Sequence, residues 1–168
     1  GGVNWNDPNH YRPPLVQLVR NENNWEVINV FDDVDMSEIR NSQFSDDGQY
    51  IIISDHGPEW PDIEWPFSHV YIGKILDNNI LWSKVSDKPS FYHDASFGDL
   101  NNDGIVDAVG GHLGTRDGNN DNPHVFLGNV QGTFNEELNI LPAAPEGGCC
   151  GDVEIFDLNQ NGVNEIIR

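Results

Sequence analysis

Five residues within one nine-residue segment have the types and spacing to hold a hard cation. In DLNNDGIVD, Asp99, Asn101, Asp103 and Asp107 place oxygen side chains at positions 1, 3, 5 and 9, with Gly104 at position 6. Alternate residues of a tight loop point inward, so positions 1, 3 and 5 converge on one centre. The glycine permits the sharp turn, and the main-chain carbonyl of Ile105 at position 7 extends the donor set. Calcium takes about six to eight oxygens of this kind. The segment DLNQNGVNE repeats the pattern with Asp157, Asn159, Asn161, Gly162, Val163 and Glu165. Its side chains carry two charges instead of three, so this second site is expected to be the weaker. Neither segment is an EF-hand loop: position 12 would be Gly110 in one and Arg168 in the other, and β-type runs come next instead of helices. The plain alternative for both is a solvated Asn/Asp turn.

The elements that must position these loops recur along the chain. Aligning Gly48, Gly104 and Gly162 gives spacings of 56 and 58 residues, and His56 and His112 each come eight residues after their glycine. His69-Val-Tyr-Ile-Gly73 is matched by His124-Val-Phe-Leu-Gly128, and Leu15-Val-Gln-Leu18 fills the same slot near the start. Self-similarity at a fixed period marks a repeat architecture. Within the unit, Tyr50–Ser54, Val70–Gly73 and Ile80–Trp82 are short β-branched and aromatic runs bounded by Gly, Asn and Asp, as strands are. Ten prolines and 17 glycines punctuate the chain, and no helical apolar stripe is sustained.

About four strands per unit is the arithmetic of a propeller blade. The expected fold is therefore all-β, with propeller-type blades of four antiparallel strands in about three repeats of roughly 56 residues. One repeat domain is expected over residues 1–168, with phases near 1–40, 41–97, 98–154 and 155–168. The last phase holds a glycine turn and one strand, and the opening residues of the chain resemble the stretch after that strand in the other repeats. The two are expected to be halves of one blade. Rings need about four to eight blades, so the expectation is a partial propeller or part of a larger or oligomeric ring. The first repeat has Gln43, Ser45, Asp47 and Ile51 at the ligand places, and no metal is expected there.

Eight Lys+Arg against 28 Asp+Glu give a formal charge of −20, which argues against nucleic acid or an anionic membrane as partner. No run approaches the roughly 18 apolar residues of a membrane span, so membrane insertion is not expected. Five tryptophans and 10% aromatic residues are too many for a disordered acidic tail. No Gly-x-Ser-x-Gly, phosphate loop or His-Glu-x-x-His occurs. Close carboxylate pairs carry little information in so acidic a chain. The protein is not expected to be an enzyme.

DLNNDGIVD and DLNQNGVNE resemble the FG-GAP/VCBS repeats of secreted bacterial proteins and integrin α-chain propellers. Asp99, Asn101, Asp103 and Asp107, like Asp157, Asn159, Asn161 and Glu165, fall on that family's calcium-ligand positions. The resemblance implies an extracellular or cell-surface propeller in which Ca2+ stiffens the hairpin of each blade. It says little about the ligand, since members include adhesins, lectins and non-catalytic parts of enzymes.

Candidate ligand contacts are sparse. Trp60 and Trp65, in PEWPDIEWPF, suit stacking on sugar rings beside carboxylates, or packing onto a neighbouring blade. Phe91-Tyr-His93-Asp94 aligns with Cys149-Cys150, a stretch that in the resembling family leads to the innermost strand near the ring's opening. The two cysteines form either a vicinal disulfide or a pair of buried thiols. His56 and His112 are read as structural, with a transition-metal site as the alternative. The functional expectation is a non-catalytic, calcium-binding surface protein whose partner is an extracellular glycan or protein. The alternatives are a self-assembling subunit of a filament or ring, and a propeller segment of a secreted polysaccharide-degrading enzyme.

Overall fold

The computed structural model describes residues 15–22, 24–32, 34, 36, 38–57, 68–112, 122–137, 140–142 and 151–168. Trp60, Trp65, Cys149 and Cys150 lie outside these residues. The described residues hold twelve strands and no helix. The β-branched runs form the central strands: β4 (Tyr50–Asp55), β5 (Val70–Leu76), β8 (Asp107–His112) and β9 (His124–Gly128). Polar, partly exposed strands flank them: β3 (Ile39–Phe44), β6 (Asn79–Lys84), β7 (Tyr92–Gly98) and β10 (Phe134–Glu137). Consecutive strands pair antiparallel to give two four-stranded sheets, β3-β4-β5-β6 and β7-β8-β9-β10. Two hairpins form two-stranded sheets of their own, β1 (Leu15–Asn21) with β2 (Asn24–Phe31) and β11 (Glu154–Phe156) with β12 (Glu165–Ile167). The blades expected from the sequence are present as these sheets, and the described residues form no closed ring.

The core is three slabs between successive sheets. Side chains alternate across a strand, so each central strand feeds two slabs. Tyr50 and Ile52 of β4 pack with Phe97, Ala108 and Phe126 of the next sheet. Ile53 of β4 and Tyr71 of β5 point the other way, onto Phe31, Val34 and Met36. Val109 and Val125 pack with Val153 and Ile155. Burial on both faces explains why β4 and β8 read as nearly continuous apolar runs.

The two full sheets are related by a register that the glycine spacing does not give. A bulge in the first lies between the rungs Asn41–Ser54 and Ile39–Asp55. Its counterpart lies between Asp94–Gly111 and Tyr92–His112. Matching the bulges equates Asp55 with His112, one residue away from the His56–His112 correspondence expected from sequence. The cause is the turn. β3 and β4 close on a tight turn with Ser45 N–H donating to Tyr50 O at 3.0 Å, whereas Gly98 pairs directly with Asp107 across a longer loop.

The polar groups at these equivalent places are structural. Asp55 is fully buried and accepts hydrogen bonds from Glu38 N at 2.7 Å and from the Ser68 hydroxyl. His112 Nε2 lies 3.1 Å from Asn122 O. Beside it, His124 Nδ1 sits 2.6 Å from Glu136 Oε1 and 2.8 Å from the Tyr92 hydroxyl. Burial pushes the Glu136 carboxyl up, but the His124 hydrogen bond, the Asp87 N–H and the charges of His124 and Lys88 outweigh it and hold the group below its usual value.

Candidate metal centre

Both loops named from the sequence adopt one backbone path. Asn102 and Gly104 have φ of 60° and 81°, and Gln160 and Gly162 have φ of 58° and 85°. Left-handed residues at positions 4 and 6 turn the chain so that side chains 1, 3 and 5 lie on its inner side. Asparagine tolerates this conformation better than most residues, and glycine adopts it freely. A Cβ at Gly104 or Gly162 would meet nothing within 4 Å, so conformation, not crowding, requires glycine there.

The hydrogen bonds match place by place. At position 1, Asp99 Oδ1 accepts from Asp103 N at 3.2 Å and Oδ2 from Gly104 N at 2.8 Å. Asp157 accepts from Asn161 N at 3.0 Å and Gly162 N at 2.8 Å. At position 5, Asp103 Oδ1 accepts from Ile105 N and Asn161 Oδ1 from Val163 N, both at 2.8 Å. At position 9, Asp107 Oδ2 takes Leu100 N and Glu165 Oε2 takes Leu158 N, both at 2.9 Å. Asn164 Nδ2 donates to Asp99 O at 2.9 Å and so ties the second loop to the first.

The loops differ at positions 3 and 9. Asn101 Oδ1 accepts from Asp103 N at 3.0 Å, whereas Asn159 donates its amide nitrogen to Glu165 Oε1 at 2.6 Å. Asp107 is fully buried, and its Oδ1 accepts from Gly128 N at 2.8 Å, which anchors the loop to β9. Burial pushes the Asp107 carboxyl up against the opposing pull of the Gly128 and Leu100 N–H groups, and the charges of Asp103 and Asp99 push it further.

That combination fits a cation. Three negative groups sit close enough to perturb one another, one of them out of water, and a bound divalent ion would offset both costs. Among the described residues no three His, Cys, Asp or Glu side chains are gathered tightly enough to hold a metal by themselves. An ion here would also draw on Asn101 Oδ1 and the Ile105 carbonyl. In the second loop it would draw on Asp157, Asn161, Glu165 and the Val163 carbonyl, with Asn159 turning its oxygen inward.

The corresponding turn of the first full sheet is built differently. Ser45 donates its hydroxyl to Asp47 Oδ1 at 2.7 Å and accepts from Tyr50 N at 2.9 Å, and Asp47 Oδ1 also accepts from Gln49 N. The Ser45 hydroxyl, then the Gln49 N–H, hold the Asp47 carboxyl below its usual value. A cavity of about 220 Å3 separates this turn from the 99–107 loop, with Asp46, Asp47 and Asp99 on its walls.

Two glycines outside the donor pattern allow the loops to seat. A Cβ at Gly128 would lie 2.1 Å from Val106 O, and one at Gly98 would lie 2.2 Å from Ile155 Cγ2. The signal for the first in the sequence is the glycine ending each of the matched runs, at 73 and 128. Of the residues suggested as ligand contacts, His93 is described: it is half-buried, its ring 4.4 Å from that of His56.

The model of the FG-GAP-like repeat matches residues 99–167. The chain carries an FG-GAP-like repeat. The matched segment opens on Asp99, the first donor of one loop, and takes in every donor of the second. Comparison with curated proteins and with solved structures gave no match. Within the FG-GAP-like repeat the first loop joins β7 to β8 and the second joins β11 to β12.

Proposed function

We propose that this is a non-catalytic, extracellular protein whose FG-GAP-like repeat binds Ca2+ in two loops, Asp99–Asp107 and Asp157–Glu165, and whose blades present a surface to a glycan or protein. The observation that supports it is the place-by-place match of backbone and hydrogen bonding in two loops 58 residues apart. Such a match belongs to a repeated device more than to two independent turns. The ion would neutralise clustered acids and order the hairpins, a structural role. Calorimetric titration is expected to show two unequal sites, the 99–107 loop the tighter because it offers three charges against two. Calcium at about a hundredfold excess over its dissociation constant adds roughly 2.7 kcal/mol, which for a chain of this size raises the melting temperature by about 5–10 °C over that in chelator. No heat of binding and identical melts would remove the reading.

A second reading, self-assembly, is favoured by the two hairpins. Trp25 and Val27 of β2 are 66% and 55% exposed, and Val16, Leu18 and Val30 are exposed beside them. Among the described residues β1 and β12 each lack a ladder partner on one edge. Pairing β12 of one copy with β1 of another makes a sheet of the same order as the two complete ones. Two copies joined twice in this way give six blades, within the usual range for a ring. Sedimentation of the chain in calcium is expected to give a dimer that Trp25→Asp with Val27→Asp reduces to monomer. A discrete monomer of the unsubstituted chain would count against it.

A further inference from the structure

A second cavity, of about 230 Å3, opens between the two full sheets away from both loops. Its walls are Tyr50 and Phe134 rings, the Leu81 side chain, Ser83 and Thr133, with Lys74 and Lys84 as the charged groups. Two features set it apart. The chain has only eight Lys+Arg against 28 Asp+Glu, yet two of the eight line this one cavity and no carboxylate does. Among the described residues neither lysine forms an ion pair. An unneutralised pair of cations beside apolar walls is arranged to meet an anion with an apolar body.

The geometry narrows the anion. Tyr50 and Phe134 meet edge to face, 5.4 Å between ring centroids, and Lys74 Nζ lies 6.0 Å from the Tyr50 ring centroid. An aromatic and aliphatic wall accepts the C–H face of a sugar ring, and the Ser83, Thr133 and Tyr50 hydroxyls can exchange hydrogen bonds with its hydroxyls. Ammonium groups take a carboxylate as point charges. The volume is below the roughly 300–1,000 Å3 of pockets for drug-sized ligands, which suits one residue of a chain. Gly132 keeps the mouth open: its φ is 75°, and a Cβ there would fall 2.7 Å from the Tyr50 hydroxyl and 2.9 Å from Lys74 Nζ.

We propose that the cavity lined by Tyr50, Lys74, Lys84 and Phe134 binds a carboxylated sugar residue of an acidic glycan, with both lysines on the carboxylate and the ring against the aromatic wall. This goes beyond the calcium reading and does not depend on it. The probe is trigalacturonate, titrated calorimetrically into the 168-residue chain in calcium, with the neutral galactose trimer, acetate and phosphate as comparisons. Trigalacturonate is expected to bind once per chain, and the neutral trimer about tenfold or more weaker. Lys74→Gln with Lys84→Gln is expected to weaken trigalacturonate by at least about tenfold while leaving the calcium titration and the melt unchanged. Binding bridged by calcium at the loops would survive the lysine replacements, and that outcome overturns the proposal. So does equal affinity for the neutral trimer, for acetate or for phosphate, and so does no binding.

Discussion

Asp107→Ala is expected to lower the unfolding free energy by roughly 2–5 kcal/mol, in chelator as well as in calcium. The carboxylate is fully buried and each oxygen holds one N–H, Leu100 at 2.9 Å and Gly128 at 2.8 Å. Alanine removes both acceptors, and each N–H left unpaired in a buried place costs about 1–3 kcal/mol. The melting temperature should fall by about 5–15 °C for a chain of this length. Urea unfolding of the two proteins in chelator is the direct check. A loss seen in calcium but absent in chelator would make Asp107 a ligand only, and would remove it as the structural link between loop and sheet.

Gly128→Ala is expected to cost about 3 kcal/mol or more, above the ordinary range for an added methyl in a packed place. The Cβ would stand 2.1 Å from Val106 O, which is main chain and cannot turn aside. Relief requires β9 to move off β8, and that movement also strains the Asp107 bond to Gly128 N. Gly104→Ala is the control: its Cβ meets nothing, and only the positive φ is penalised, by roughly 1–2 kcal/mol. Thermal melts of the two variants side by side decide the point, because a Gly128 variant no worse than the Gly104 variant would show that the close approach carries no weight.

Much of the fold was legible because its signals are local. The runs at Tyr50–Ser54, Val70–Gly73 and Ile80–Trp82 became β4, β5 and β6, and the bounding glycines and asparagines became turns. The donor spacing at 99–107 and 157–165 was readable for the same reason, since a nine-residue loop contains its whole pattern. Register was not readable. Gly48 and Gly104 align in sequence, but one closes a tight turn and the other sits in a longer loop, so β4 and β8 are offset by one. In a strand, one residue exchanges the two faces. Thus Ile52 points forward to the next sheet, whereas Ala108, its partner by glycine spacing, points back to the previous one. The second oxygen of Asp107 was hidden as well, because its partner Gly128 comes from a distant strand. The two lysines of the cavity are ten residues apart in sequence and meet only because β5 and β6 form a hairpin.

The division of the interior into three slabs governs how disturbance travels. Each slab is shared by sequence neighbours alone, and the side chains of one do not reach the next except through the strand between them. Such a molecule behaves as a short row of coupled links, each stabilised by the link on either side. Loosening β1 and β2 is felt by β11 and β12 only by relay through both four-stranded sheets, and the end links, gripped from one side, are the first to let go.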